Sequence, residues 1–363
     1  MRTNLFYQLI LASLSGILFC SLSEASINGW QANTIWDAGF KLERVIVGDI
    51  DSSRKGNEVL VLTGDGRVVV VSKVLSGWSS RVIWKHSGEL VGAAIGDLDK
   101  SHKGNEVFVG GEGGTIEMVY PDDLQHSTVF DKGVSVHGLV VGDVMSATAR
   151  EELVAVDNSG QAFVIYKEGS SWEWQEIFKD TGRLRDAIIA DLDFNHPGDE
   201  ILTVGSSGKA TLIWEENGNW KHKPIWESLK GLGRVTCGKV GVGSKDFRVA
   251  IAGDSGEVVL LEREEDDWKG NVIFEDNDQL RGIAIGDIYP LSEGNEVATF
   301  GYSKKVVILY EKSGQWNKMV AWTDTDRAHG LACGEFDSSN RIEELVAVGY
   351  SEKTTAISYV VPK

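Results

Sequence analysis

Apolar and polar residues alternate along this chain in short runs of strand period, and the three-and-four spacing of an amphipathic helix is missing between Trp30 and Val361. The second of several similar units is the clearest. An apolar run from Leu90 ends at Gly96-Asp97, a polar turn covers Leu98 to Asn105, and Glu106-Val107-Phe108-Val109-Gly110 forms a second run. A tight turn at Gly113-Gly114 then opens the β-branched and aromatic run Thr115 to Tyr120. A fourth strand is plainest at Trp78 to Trp84 and Trp220 to Trp226. The phrase that ends the first run returns as Gly48-Asp49, Gly96-Asp97, Gly142-Asp143, Ala190-Asp191, Gly238-Lys239, Gly286-Asp287 and Gly334-Glu335, at intervals of 48, 46, 48, 48, 48 and 48 residues. Four strands per unit and seven units predict an all-β fold, a seven-bladed β-propeller with four antiparallel strands in each blade.

The predicted fourth strands repeat an aromatic six residues after a Trp: Trp30/Trp36, Trp78/Trp84, Trp172/Phe178, Trp220/Trp226, Trp268/Phe274 and Trp316/Trp322, with Leu124/Phe130 in the third unit of the series. Six is even, so both rings of a pair should share one strand face and pack between blades. The seventh unit stops without such a strand, and Gly29 to Trp36 is such a strand with no unit before it. Pairing the two ends completes the last blade and hides two sheet edges, so the N-terminal strand is expected outermost there.

Residues 1–25 differ in kind. Arg2 precedes an apolar stretch from Leu5 to Leu22, and Ser23-Glu24-Ala25 offers a small-residue cleavage site. A signal peptide over 1–25 and one propeller domain over 26–363 are expected, which places the mature protein outside the cytoplasm: secreted, or periplasmic in a bacterium. Cys237 and Cys333 lie one residue before the repeated Gly, where other units have Val47, Ile95, Val141, Ile189 and Ile285, so both read as buried packing thiols rather than a disulfide. The net charge of −18 opposes nucleic acid and anionic membranes as partners. A monomer without membrane insertion is expected once the signal is removed.

The turn after the repeated Gly carries oxygen side chains at alternate positions: Asp49-x-Asp51-x-Ser53, Asp97-x-Asp99-x-Ser101, Asp191-x-Asp193-x-Asn195 and Glu335-x-Asp337-x-Ser339. In these loops and in its seven-unit layout the chain resembles the FG-GAP and VCBS-type repeats of integrin-like propellers. That resemblance implies calcium at Asp49, Asp51, Asp97, Asp99, Asp191 and Asp193, since alternating hard oxygens can wrap one cation. The competing reading makes the Asp residues hairpin caps that accept backbone N–H groups, with no cofactor. Met145, Lys239 and Tyr289 remove the motif from the other three loops.

At the opposite end of the same first strands, the position five residues before the repeated Gly is occupied by Glu43, Val91, His137, Arg185, Gly233, Arg281 and His329, followed by Arg44, Gly92, Gly138, Asp186, Arg234, Gly282 and Gly330. First strands line a propeller's channel, so these positions ring its mouth. Arg44, His137, Arg185, Arg234, Arg281 and His329 therefore form the candidate ligand site, suited to a carboxylate or uronic acid. Alternatively they pair with Glu43, Asp186 and loop carboxylates and only cover the rim. Tyr302 and Tyr350, in turns near Lys304 and Lys353, extend the same mouth. No nucleophile elbow, phosphate loop or zinc-spaced His pair occurs. The function expected is a non-catalytic scaffold that recognises a carbohydrate, a cell-surface component or a protein. The alternative is a carbohydrate-active lyase or hydrolase using the Arg/His cluster at the mouth.

Overall fold

Seven four-stranded antiparallel sheets stand around a common axis, and no helix occurs among the described residues. The computed structural model describes residues 29–360, apart from positions 147, 149, 194, 197, 245, 266 and 341. The signal-peptide expectation thus falls outside the described residues. In the first blade the strands run outward from the axis as Leu42–Gly48, Glu58–Thr63, Arg67–Val74 and Gly77–Lys85. The second strands are buried at nearly every position and the outer strands are half exposed, so each blade places its apolar residues against its two neighbours.

The ring closes as its two ends require. Trp30–Asp37 is the outer strand of the seventh blade, paired antiparallel with Lys353–Tyr359 from Trp30↔Tyr359 to Asp37↔Lys353. Trp30 is 1% exposed, edge-on to Tyr359 with ring centroids 5.4 Å apart. Its indole N–H points at Met319 Sδ of the sixth blade, 3.3 Å away.

One expectation about the outer strands is corrected. The two rings of each Trp-x5-aromatic pair lie on opposite faces, because a β-bulge falls between them. Val68 pairs with Trp84 and Val69 with Val82, which leaves Ile83 as an extra residue and reverses the alternation. Trp78 therefore packs back on Phe336 of the seventh blade, at 6.0 Å, and Trp84 packs forward in the cluster of Leu90 and Val107 in the second. The same holds for Trp30 and Trp36, Trp172 and Phe178, and Trp220 and Trp226. Six of the seven outer strands thus fasten their blade on both sides. Leu124 is not part of this scheme: it precedes the strand His126–Asp131, has a positive φ of 61° and is exposed.

Near the axis the inner strands approach closely. A methyl group on Gly48, Gly96, Gly142, Gly238, Gly286 or Gly334 would come within 2.3–2.8 Å of the Ile, Val or Cys in the adjoining blade, which explains the repeated glycine. The column that carries those residues, including the free thiols Cys237 and Cys333, is half-buried because it faces the channel.

The sequence reading missed a second repeated device. A buried glutamate at the start of the second strand turns back and accepts two backbone N–H groups from the preceding loop. Glu200 Oε2 receives Leu192 N and Asp193 N, both at 2.8 Å, and Glu58, Glu106, Glu152, Glu296 and Glu344 do the same in their blades. In the fifth blade Arg248 occupies the position and reverses the polarity, donating from Nη1 to the Val240 carbonyl at 2.9 Å. Burial, helped by nearby aspartates, pushes Glu200 and Glu296 up to about 7.

An acid that binds its proton more tightly when folded favours the fold most below its ordinary value of 4.5. That contribution falls as pH rises through about 7. The Glu200→Gln/Glu296→Gln double variant should therefore lose less thermal stability than the parent between pH 5 and 7.5, measured by calorimetry. Glu200→Ala, which strands two N–H groups, should cost about 1–3 kcal/mol in urea unfolding.

Candidate functional site

Every inner strand begins with a β-bulge, and the extra residue of each is Glu43, Val91, His137, Arg185, Gly233, Arg281 or His329. A bulge re-aims its side chain out of the strand's alternation. The most varied positions of the repeat therefore turn into the mouth while the packing columns keep their register. The residues that follow, Arg44, Asp186 and Arg234, line the channel below.

The structure joins these residues into a network. Arg44 Nη2 reaches Asp186 Oδ1 at 2.9 Å, linking the first blade to the fourth, three blades away, so the pair spans the channel. Asp186 also accepts Val235 N at 3.3 Å. Arg185 and Arg281 share Asp254, with one guanidinium on each carboxylate oxygen at 2.9 Å. His329 Nδ1 lies 2.6 Å from Glu43 Oε2, and Lys41 bridges Glu43 at 2.6 Å and Glu89 at 2.7 Å. Burial opposes the charge on Glu43, but the bonds from His329, Glu89 and Lys41 outweigh it and hold the carboxyl down at about 2. His137 Nδ1 meets the Arg185 carbonyl at 2.9 Å, and burial, with Arg234 and Arg44 near, holds its ring at about 4 and so neutral at pH 7.

On the rim, cations and aromatic rings alternate between the sixth and first blades. Arg281 lies 5.1 Å from the Tyr302 ring, Arg327 lies 5.3 Å from Tyr302 and 4.4 Å from Tyr350, and Lys41 lies 5.7 Å from Tyr350. His329 meets Tyr350 edge-on at 4.9 Å. Phe40 and Leu229 stand exposed on the loops that lead into the first and fifth inner strands, on this same face.

All six predicted mouth residues are thus brought together. Asp254, Lys41, Glu89 and Arg327, which complete the network, were missed. Asp254 had a signal in the sequence: the residue after each second strand is Gly64, Glu112, Asn158, Ser206, Asp254, Tyr302 or Tyr350, a column as varied as the bulge positions.

The loops on the opposite face use their aspartates within the protein. Asp51 accepts Ser53 N at 3.1 Å and Arg54 Nε at 3.0 Å. Asp99 accepts Ser101 N at 3.2 Å, Tyr120 Oη at 2.7 Å and Lys167 Nζ at 2.8 Å; burial works against its charge, yet these bonds hold it below the usual carboxylate range. Asp193 caps Asn195 N at 2.9 Å and pairs with Arg263 Nη2 at 2.6 Å, and Asp337 pairs with Lys73 Nζ at 2.6 Å. Lys73, Lys167 and Arg263 all come from the third strand of the following blade, so these pairs clamp neighbouring blades together. Asp97 contacts Lys100 at 2.9 Å, while Asp49 and Asp191 are exposed. Among the described residues no group of three or more His, Cys, Asp or Glu is gathered to hold a metal ion.

Comparison with solved structures places this architecture. In fold, the chain is similar to WD40 propellers. The WD40 β-propeller domain of Doa1 aligns with a TM-score of 0.64 at 15% identity over 93% of this chain and 97% of that one. The RRP9 WD40 repeats align at 0.65 and 13% over 93% and 99%, and U3-55K at 0.64 and 13% over 90% and 98%. Identities this low carry the fold and nothing further. No family model and no curated protein sequence matches the chain.

Asp186→Ala removes the one carboxylate that Arg44 meets among the described residues and leaves a largely desolvated guanidinium unpaired, so it should destabilise the protein by about 3–5 kcal/mol in urea unfolding. With Asp51, Asp99, Asp193 and Asp337 occupied by protein donors, neither EDTA nor millimolar calcium should shift the melting temperature. A rise of several degrees with calcium would assign the loops to the metal.

Proposed function

We propose that the protein is a non-catalytic interaction scaffold that receives its partner on the mouth face. The observation that carries this reading is the self-pairing of the mouth. His137 and His329 are each committed to a protein acceptor, and Arg185 and Arg281 are held on one carboxylate. A lyase or hydrolase needs a free base beside a cation at a common point in an open pocket, whereas Nδ1 of each mouth histidine is already taken up by a protein group. A rigid ring with exposed Phe40 and Leu229, half-buried tyrosines and arginines offers instead the residue types enriched at recognition surfaces.

On this reading the protein acts outside the cytoplasm, following the leader-like residues 1–25, and works as a monomer. It binds a carbohydrate, a cell-surface component or another protein. Kinship with the FG-GAP and VCBS-type repeats is part of the same proposal, supported by the Asp-x-Asp loops and the 48-residue spacing of most units. The acidic net charge of −18 argues against nucleic acid.

A glycan array run beside reducing-end and unsaturated-product assays on the same polysaccharides separates the two classes. Binding without product at pH 5 to 8 is the expected result. Product formation abolished by His329→Ala would replace the scaffold with the enzyme.

A further inference from the structure

Among the charged residues of the mouth, one stands apart. Arg44 is paired with Asp186, Arg185 and Arg281 with Asp254, and His329 with Glu43, whereas among the described residues the side chain of Arg234 bonds only to the adjacent Gly233 carbonyl, at 3.2 Å. Four guanidiniums face the carboxylates of Asp186 and Asp254 here, a surplus of two positive charges in a protein of net charge −18. Arg44 adds a second unused donor, since its buried Nη1 has no acceptor among the described residues. An unpaired guanidinium crowded by others is costly unless an anion joins it.

The space beside these groups is defined. A cavity of about 270 Å³ along the channel has Arg44, Asp186 and Arg234 at its charged end and Val47, Ile285 and Leu331 on its walls. It lies near the lower limit of about 300 Å³ for small-molecule sites, room for one small ring rather than for a chain of sugars.

We propose that this recess binds the carboxylate of a single sugar acid, with Arg234 as its anchor and Arg44 beside it. The assignment rests on reading the mouth as a binding surface and narrows the ligand to a monomer-sized carboxylate. Planar guanidiniums match a carboxylate edge to edge. Asp186, Asp254 and Glu43 keep the local surplus small and repel polyanions. Burial and the neighbouring Arg44 and Arg281 bring Arg234 down to about 10, a mutual repulsion that a bound anion relieves. The other four predicted residues, His137, Arg185, Arg281 and His329, position the mouth and do not touch the ligand.

The test is calorimetric titration of the full chain with D-glucuronate and D-galacturonate, with glucose, glucuronate methyl ester and inorganic phosphate as comparison probes. The parent should bind a uronate more tightly than glucose or the ester, with affinity falling as salt is added. Arg234→Gln should weaken uronate binding about tenfold or more, Arg234→Lys should retain part of it, and Arg234→Gln without ligand should melt at or above the parent temperature. Unaltered uronate affinity in a folded Arg234→Gln protein would overturn the proposal, as would absence of uronate binding to the parent or tighter binding of phosphate. None of these results bears on whether the protein is catalytic, so the scaffold reading stands or falls separately on product formation.

Discussion

Everything in this protein hangs on closing a ring of sheets whose inner strands nearly touch at the axis. The antiparallel pairing of Trp30–Asp37 with Lys353–Tyr359 removes the two edges that an open array would leave. In six blades the repeated glycine lets the inner strands approach, because a methyl group there would collide with the Ile, Val or Cys of the adjoining blade; the fourth blade has Ala190 at this position. Interlocking follows outward from the axis. Six of the seven outer strands send one aromatic ring to either neighbour, and salt bridges such as Lys167 to Asp99 and Arg263 to Asp193 tie loop to blade on the face opposite the mouth.

The candidate site is a consequence of the same geometry. Seven inner strands each begin with a bulge, and a bulge is where a strand can carry a side chain that does not pack. Variation is tolerated there, as in the turn after the second strand, because the packing positions are the ones fixed by contact between blades. Charges that would repel one another along a single strand are spread over six of the seven inner strands and meet across the channel, which is how Arg44 of the first blade finds Asp186 of the fourth. A network spanning the ring in this way also braces it, so binding and stability draw on overlapping residues, and Arg234 is the member that stability does not use.

Buried carboxylates on the lower face add a second constraint with a different character. The six glutamates that receive loop N–H groups are almost wholly buried, and their hydrogen bonds hold the loops while burial penalises their charge. The fifth blade shows that the geometry, rather than the charge, is what the fold requires: Arg248 meets a carbonyl where its counterparts meet N–H groups. An acidic chain therefore carries part of its negative charge in places where protonation strengthens the fold.

The sequence alone determined the number of blades, the number of strands in each and the borrowed outer strand, since all three follow from a period of hydrophobic runs and from one incomplete unit at each end. It also brought Arg44, His137, Arg185, Arg234, Arg281 and His329 to one mouth, because equivalent positions in a closed repeat must share a ring. What it could not contain was anything that depends on a residue gained or lost in register. The bulge at Ile83 and its equivalents put paired rings on opposite faces although six is an even number, and backbone hydrogen bonding to the third strand decides that count. Partner choice was likewise tertiary: Asp254 lies 69 residues from Arg185 and Asp186 lies 142 from Arg44, separations over which spacing says nothing about distance. Which arginine was left without a carboxylate could be decided only when the ring had closed and every other charge had found its neighbour.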